Sequence, residues 1–145
     1  MLRQFLSIAG LLAMFVGFVS CDKESIQPEN EIPSEVKTYV TTHFPGSTIL
    51  QSIKDKDGFT LTYDVTLSDN IQLEFNRSKE IINIDSDKKL PDSVIPTKIL
   101  EYVAANYPLN FITDWEIDGK NQQIELDNGL DLEFDKSGNF KRIDN

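Results

Sequence analysis

Few side chains in this sequence could make or break a covalent bond. His43 is its only histidine and Cys21 its only cysteine, so a Ser-His-Asp or Cys-His arrangement would have to pass through His43. That residue stands beside Phe44 at the end of an apolar-periodic stretch, a place that suits a structural or solvated histidine better than a general base. A single cysteine excludes an internal disulfide and a paired-cysteine redox or zinc site. Carboxylates are abundant, but they alternate with apolar residues along strand-like runs, as on the solvated face of a sheet. Hydrolysis by paired carboxylates needs a cleft with two unlike carboxylate environments, and no such pair stands out. The sequence assigns no catalytic residue and no cofactor, and reads as a protein without enzymatic activity.

One segment approaches a metal-binding pattern. Asp114-Trp115-Glu116-Ile117-Asp118-Gly119, with Glu125 six residues after the glycine, comes close to a helix-loop-helix calcium loop. Glu116 at its third position and Asn121 at its eighth depart from that pattern. Trp115 and Ile117 alternate as a strand does, and Ile124 and Leu126 return as its partner. A hairpin turning at Asp118-Gly119 explains the same residues. Calcium binding is therefore a minor alternative, and no metal ligand is assigned.

The remaining candidate is a polar sheet face. Glu125, Asp131, Glu133 and Asp135 should lie opposite Leu130, Leu132 and Phe134. Upstream, Thr60, Thr62, Asp64, Gln72, Glu74 and Asn76 should form the corresponding face. Of these, Glu125, Asp131, Glu133, Asp135, Asp64 and Glu74 would present an acidic platform to a protein partner, with basic partners favoured by charge. The formal net charge of −10 excludes nucleic acid as a partner, since no basic stripe exists to neutralise phosphates.

These residues are carried by a unit written twice. Ile32, Pro33, Val36, Tyr39, Val40, Phe44 and Pro45 match Ile95, Pro96, Ile99, Tyr102, Val103, Tyr107 and Pro108 at one constant offset. Ile71, Leu73, Glu74, Phe75, Ile84 and Asp85 match Leu130, Leu132, Glu133, Phe134, Ile143 and Asp144 at an offset four residues shorter. One insertion in the first copy accounts for the difference. In each copy a proline opens an amphipathic helix that a Phe-Pro or Tyr-Pro pair ends. Strands are then predicted at 48–54, 59–67, 71–76 and 81–85, and at 111–117, 122–126, 130–135 and 140–144. Asp55-Lys56-Asp57-Gly58, Asp118-Gly119, Asn128-Gly129 and Ser137-Gly138 are the turn signals. Phe140 and Ile143 break strict alternation, which predicts a bulge in the last strand. The fold class is α+β: two tandem repeats, 32–87 and 95–145, each one helix packed on a four-stranded antiparallel meander, joined by a linker at 88–94. A unit of about 55 residues is marginal alone, so the copies should support each other edge to edge or through a shared core.

The first twenty residues differ from the rest. Met1-Leu2-Arg3-Gln4 is a short basic start, and Phe5 to Val19 is apolar save for Ser7, Gly10 and Gly17, the layout of a secretory signal peptide over 1–20. Phe18-Val19-Ser20-Cys21 resembles a bacterial lipoprotein box, departing from it in Phe18. That resemblance implies lipidation of Cys21 and anchoring in the outer membrane. Residues 21–31, polar and proline-containing, read as the lipidated cysteine and a flexible tether. Acidic residues just after the cysteine look like surface-export signals of Gram-negative lipoproteins, so the implied address is the cell envelope, periplasmic or surface-exposed.

IPTKILEYVAANYP followed by IELDNGLDLEFDKSGNFKRID resembles the PepSY-like domain described as beta-lactamase-inhibitor-like. The resemblance covers both copies and is stronger in the second. The first copy departs from it: Leu67-Ser68-Asp69-Asn70 has no glycine in the turn, and Arg77-Ser78-Lys79-Glu80 replaces Lys-Ser-Gly-Asn. It implies the helix-on-meander fold and a binding or inhibitor-like module of the envelope. The alternative is a structural accessory lipoprotein that scaffolds envelope assembly.

Overall fold

Pro33 and Pro96 each stand immediately before a helix, at φ −55° and −56°, where a missing N–H costs nothing. The helices are α1 (Ser34–His43) and α2 (Thr97–Asn106). Each ends as the backbone N–H of Phe44 or Tyr107 closes back on the carbonyl of Val40 or Val103, at 2.8 and 2.7 Å. The computed structural model describes residues 23–144; the predicted leader and Cys21 lie outside them.

Nine strands follow one another across one antiparallel sheet in chain order: β1 (Ser25–Ile26), β2 (Ile49–Asp57), β3 (Thr60–Leu67), β4 (Gln72–Phe75), β5 (Ile81–Asp85), β6 (Ile112–Asp118), β7 (Asn121–Leu126), β8 (Asp131–Asp135) and β9 (Phe140–Asp144). The halves meet edge to edge, where Asn83, Ile84 and Asp85 of β5 pair with Glu116, Trp115 and Asp114 of β6. Side chains alternate faces along each strand. Val65, Leu73, Ile84, Trp115, Ile124 and Leu132, successive cross-strand partners, form a buried apolar row. Both helices cover that face. Tyr39 meets Phe75 edge-on at 5.4 Å, and Tyr102 meets Phe134 edge-on at the same distance.

The internal correspondence extends to irregularities. A bulge interrupts β2 between Ile49 and Gln51, and β6 between Ile112 and Asp114. Another leaves Ile82 of β5 and Lys141 of β9 unpaired, so the bulge expected in the last strand is present. The four-residue difference between the halves lies in one hairpin: β2–β3 runs two residues further on each arm than β6–β7, from the shared pair Ile49–Leu67 or Ile112–Leu126 to its tip.

Three expectations change. The first hairpin turns at Gly58-Phe59, with Asp57 opposite Thr60. Asp55, Lys56 and Asp57 of the expected turn are paired strand, and Phe59, expected to open the next strand, is fully exposed at the tip. The alternation of Phe59, Leu61, Tyr63, Val65 and Leu67 runs unbroken to the tip, so it does not tell a tip residue from a paired one. Next, the segment read as a flexible tether enters the sheet. Ser25 and Ile26 pair with Lys54 and Ile53, and Gln27 N–H reaches the Ser52 carbonyl at 2.8 Å. Backbone pairing on an open edge needs no apolar sequence, so composition did not disclose it. Finally, the linker at 88–94 buries Leu90, whose N–H donates to the Ile112 carbonyl at 2.9 Å.

Candidate functional site

The face of the sheet opposite the helices is organised in rows. One row runs Gln51, Thr66, Gln72, Asp85, Asp114, Glu125, Asp131 and Asp144, each directly paired with the next. Its second part is five consecutive carboxylates. The neighbouring row runs Ile53, Asp64, Glu74, Asn83, Glu116, Gln123, Glu133 and Arg142. Like charges directly opposite one another across strands are destabilising, so this arrangement carries a cost that packing does not require.

That cost appears at Asp114 in this row and at Asp64 and Glu74 in its neighbour. Burial raises Asp114 from its ordinary value near 3.8 to about 7, helped by the charges of Glu116, Asp85, Glu125 and Asp131. Asp64 is raised by burial, then by Asp55 and Glu24; Glu74 by burial, then by Asp64, Asp55 and Glu116. A positive charge laid beside these carboxylates would offset the like-charge part of each shift.

The residues chosen from sequence divide into two groups. Asp64, Glu74, Glu125 and Asp131 lie on the shared face, in the rows just described. Glu133 lies there too but is only 4% exposed, so it is no open contact point. Lys141 Nζ donates to its Oε1 at 2.9 Å, Arg142 pairs with the other oxygen, and Asn121 donates from β7. The hydrogen bond from Lys141 and the two cationic charges hold its carboxyl below the usual range. Asp135 is also otherwise employed. Its Oδ1 accepts the N–H groups of Ser137 and Asn139 at 2.8 and 2.9 Å, and its Oδ2 accepts from Asn139 Nδ2, so it caps the β8–β9 turn. Cys21 lies outside the described residues. Sequence reasoning left Asp85, Asp114, Glu116 and Asp144 off the face. The alternation that makes Trp115 and Ile117 strand residues also puts Asp114 and Glu116 on the opposite side.

The Asp114–Glu125 segment is a hairpin. Asp118 faces Asn121 across the Gly119-Lys120 tip, and Trp115 Nε1 donates inward to Gln122 Oε1 at 3.0 Å. Among the described residues no group of three or more histidine, cysteine or carboxylate side chains is placed to hold a metal ion. His43 Nδ1 lies 3.0 Å from Ser93 Oγ, and its ring packs on Tyr39 at 4.5 Å, so it fastens the end of α1 to the connection between the halves. A groove of about 300 Å³ lined by Leu90, Ile95, Leu100, Val103 and Tyr107 lies beside α2. A counterpart beside α1 includes Ile32, Val40 and Ile49. Among the described residues, neither lining includes a histidine or a cysteine.

A family described as "Putative beta-lactamase-inhibitor-like, PepSY-like" matches the sequence twice, over residues 18–82 and 61–142. The chain belongs to the PepSY-like family. The matches overlap at 61–82, so the family's unit includes strand segments ahead of its helix as well as after it. The structure has a counterpart for this: β1 pairs with Ile53 of β2 at the position where β5 pairs with Glu116 of β6. Among solved structures, a "putative periplasmic protein of unknown function" from Bacteroides vulgatus is 32% identical, with a TM-score of 0.80 over 85% of this chain and 100% of that one. A second from the same species, a "putative periplasmic protein", is 29% identical, with a TM-score of 0.79 over 86% of this chain and 99% of that one. A "putative calcium-regulated periplasmic protein" from Bacteroides thetaiotaomicron is 25% identical, with a TM-score of 0.79 over 84% of this chain and 97% of that one. No curated protein matches. These descriptions indicate no catalytic activity, and they describe the neighbours as periplasmic.

Proposed function

We propose that this PepSY-like protein is a non-catalytic lipoprotein of the cell envelope whose helix-free sheet face binds a basic protein partner. The observation that carries this reading is the row Asp85, Asp114, Glu125, Asp131 and Asp144, held in register across five strands. A fold does not place five carboxylates side by side for its own stability, whereas a cationic partner would convert the repulsion into complementarity. The inhibitor-like description of the family supports a binding role. The periplasmic neighbours support the address. In this reading residues 1–20 are removed, Cys21 carries the lipid, and the halves are tandem copies, 32–87 and 95–145, of one helix-and-meander unit. Capture from cell envelopes with the wild type and with an Asp114→Asn, Glu125→Gln, Asp131→Asn variant tests it. One basic partner retained by the wild type and lost by the variant is expected; equal capture by both removes the face from consideration. A stable outer-membrane complex in both captures would favour a structural accessory role. The anchor is tested separately: Cys21→Ala should abolish fatty-acid labelling and release the domain or leave a precursor.

Calcium is a second reading, favoured by the description of one neighbour as calcium-regulated and by the acidic row. A native-state ligand at about 100-fold excess over Kd stabilises by about 2.7 kcal/mol. With no chelating group preformed among the described residues, no calcium-dependent rise in Tm is expected. A rise that disappears in Asp114→Asn would establish calcium instead.

A further inference from the structure

In an antiparallel meander successive turns fall at alternate ends of the sheet, and here the two ends differ in chemistry. The turns at 58–59, 76–80, 119–120 and 136–139 lie at one end; they carry Phe59, Arg77, Lys79, Lys120 and Lys136. The other end carries Asp69 and Asp127 in the turns at 68–70 and 127–129, and in the connection after β5 it carries Asp87, Lys88, Lys89 and Asp92, whose charges cancel. We propose that the first end is a membrane-facing end, resting on an anionic lipid surface through its basic turns and Phe59. This rests on the reading of Cys21 as the lipid anchor.

Three further observations converge on the same end. The chain enters the described fold there: Lys23 N–H donates to the Lys56 carbonyl at 3.1 Å and Lys56 N–H returns to Lys23 at 3.2 Å, two residues from the Gly58 tip and two after Cys21 in sequence. The β2–β3 hairpin is longer than β6–β7 by two residues per arm, which carries Phe59 about 7 Å further out at a strand's rise per residue. The hairpin in which the halves differ in length is thus the one that carries a fully exposed aromatic side chain to the end where the chain enters the described fold. Both helices also direct their N-termini this way. Lys98, in the first turn of α2, donates to Asn139 of the β8–β9 turn at 3.3 Å, and Glu35, in the first turn of α1, feels the charge of Lys79. The positive ends of the helix dipoles add to the basic turns.

Behind the turns Glu24 and Asp55 stand beside Lys23 and Lys56 and offset them, and the acidic groups nearest the turns are set back or occupied. Glu80 accepts from Asn76 Nδ2 at 2.8 Å, Asp135 caps its own turn, and Asp57 and Asp118 are the last paired positions before their tips. Among the described residues Arg77, Lys79, Lys120 and Lys136 enter no ion pair. A chain of net charge −10 held beside an anionic bilayer is repelled wherever its acidic surfaces come within a Debye length, about 8 Å at physiological salt. Turning the basic end to the lipid removes that repulsion. It also stands the acidic face perpendicular to the bilayer, open to a partner.

The test uses the full, anchored chain reconstituted into phosphatidylcholine vesicles with and without phosphatidylglycerol. A polarity-sensitive fluorophore is placed on Phe59→Cys or, at the opposite end, on Asp69→Cys, and quenching by brominated lipid is read. Several-fold stronger quenching at 59 than at 69 is expected on phosphatidylglycerol vesicles. Reversing Arg77, Lys79, Lys120 and Lys136 to glutamate should level the two sites while the chain still floats with the vesicles. A chain that floats but shows equal quenching at both sites overturns the proposal alone, as does quenching at 59 that ignores both the charge reversal and the lipid. A chain that does not float shows instead that the anchor reading is wrong, and the proposal falls with it.

Discussion

Asp114 bears the largest share of the acidic row's cost. Its carboxyl titrates near 3.8 in ordinary surroundings and near 7 in the fold. Below about pH 4 both folded and unfolded chains hold the proton, and the fold keeps its full advantage. As pH rises towards 7 the unfolded carboxyl ionises freely while the folded one ionises only at a cost, so the stability Asp114 contributes drains away across that window. The whole displacement would amount to about 4 kcal/mol; partial exposure and screening reduce it to roughly 1–2 kcal/mol. Asp114→Asn should therefore melt above the wild type at pH 8, with the gap closing near pH 4. A gap independent of pH would show that the row does not hold Asp114 protonated. Glu133 makes the opposite case. Alternation alone assigns it to a solvated face where removal should cost little, yet Lys141, Arg142 and Asn121 enclose it. Glu133→Ala leaves two cations without their shared partner, and its denaturant midpoint should fall well below that of Glu116→Ala, a half-exposed residue in the same row. Equal midpoints would mean that the enclosure is not maintained in solution.

At the scale of elements, turns show why one half reads more clearly than the other. Gly129 and Gly138 adopt φ of 77° and 79°, and Asn70 and Lys79, their counterparts, adopt 62° and 63°. The backbone makes the same turn in both halves, but the first half lacks the glycine that announces it. Asparagine tolerates that region; lysine does not do so freely. Lys79→Gly should then stabilise by about 0.5–1 kcal/mol, whereas Gly138→Ala should destabilise, since its Cβ would also meet Lys98 Cβ at 3.1 Å. Denaturant melts of both variants check the sign. The helices were legible because proline, periodicity and aromatic ends coincide, and the strands because turn residues punctuate them. The acidic row was only half legible: alternation fixes which face a carboxylate takes, but register decides which carboxylates become neighbours, and register follows from the β5–β6 seam. Tyr39 and Tyr102 test the helix-on-sheet packing. Each lies edge-on to a buried phenylalanine, and truncation to alanine should cost about 2–4 kcal/mol, the lower part of the range for aromatic deletions because both remain partly exposed.

The whole molecule is one sheet written by two similar stretches of sequence, which raises the question of whether it unfolds once or twice. The seam between the halves is short in backbone terms, three paired residues in β5 and β6. It is nevertheless sealed on the helix side by Ile84 against Trp115 and by Leu90, all buried, and it is fastened from outside by His43 on Ser93. Separating the halves would expose those side chains and open two sheet edges, and each half alone is of a size that buries too little apolar surface to be secure. One cooperative transition is therefore expected. Trp115, the only tryptophan, stands on β6 at the seam, so its fluorescence should report the same midpoint as far-ultraviolet circular dichroism, which averages over both halves. The sharper form of the test uses Ile84→Ala, in the half that does not contain the reporter. If the halves are coupled, this cavity should cost about 2–5 kcal/mol and lower both midpoints together, with the fluorescence transition following a mutation made across the seam. Two separated transitions, with Trp115 reporting the unshifted one, would show that the halves fold independently and that the continuous sheet adds no stability of its own.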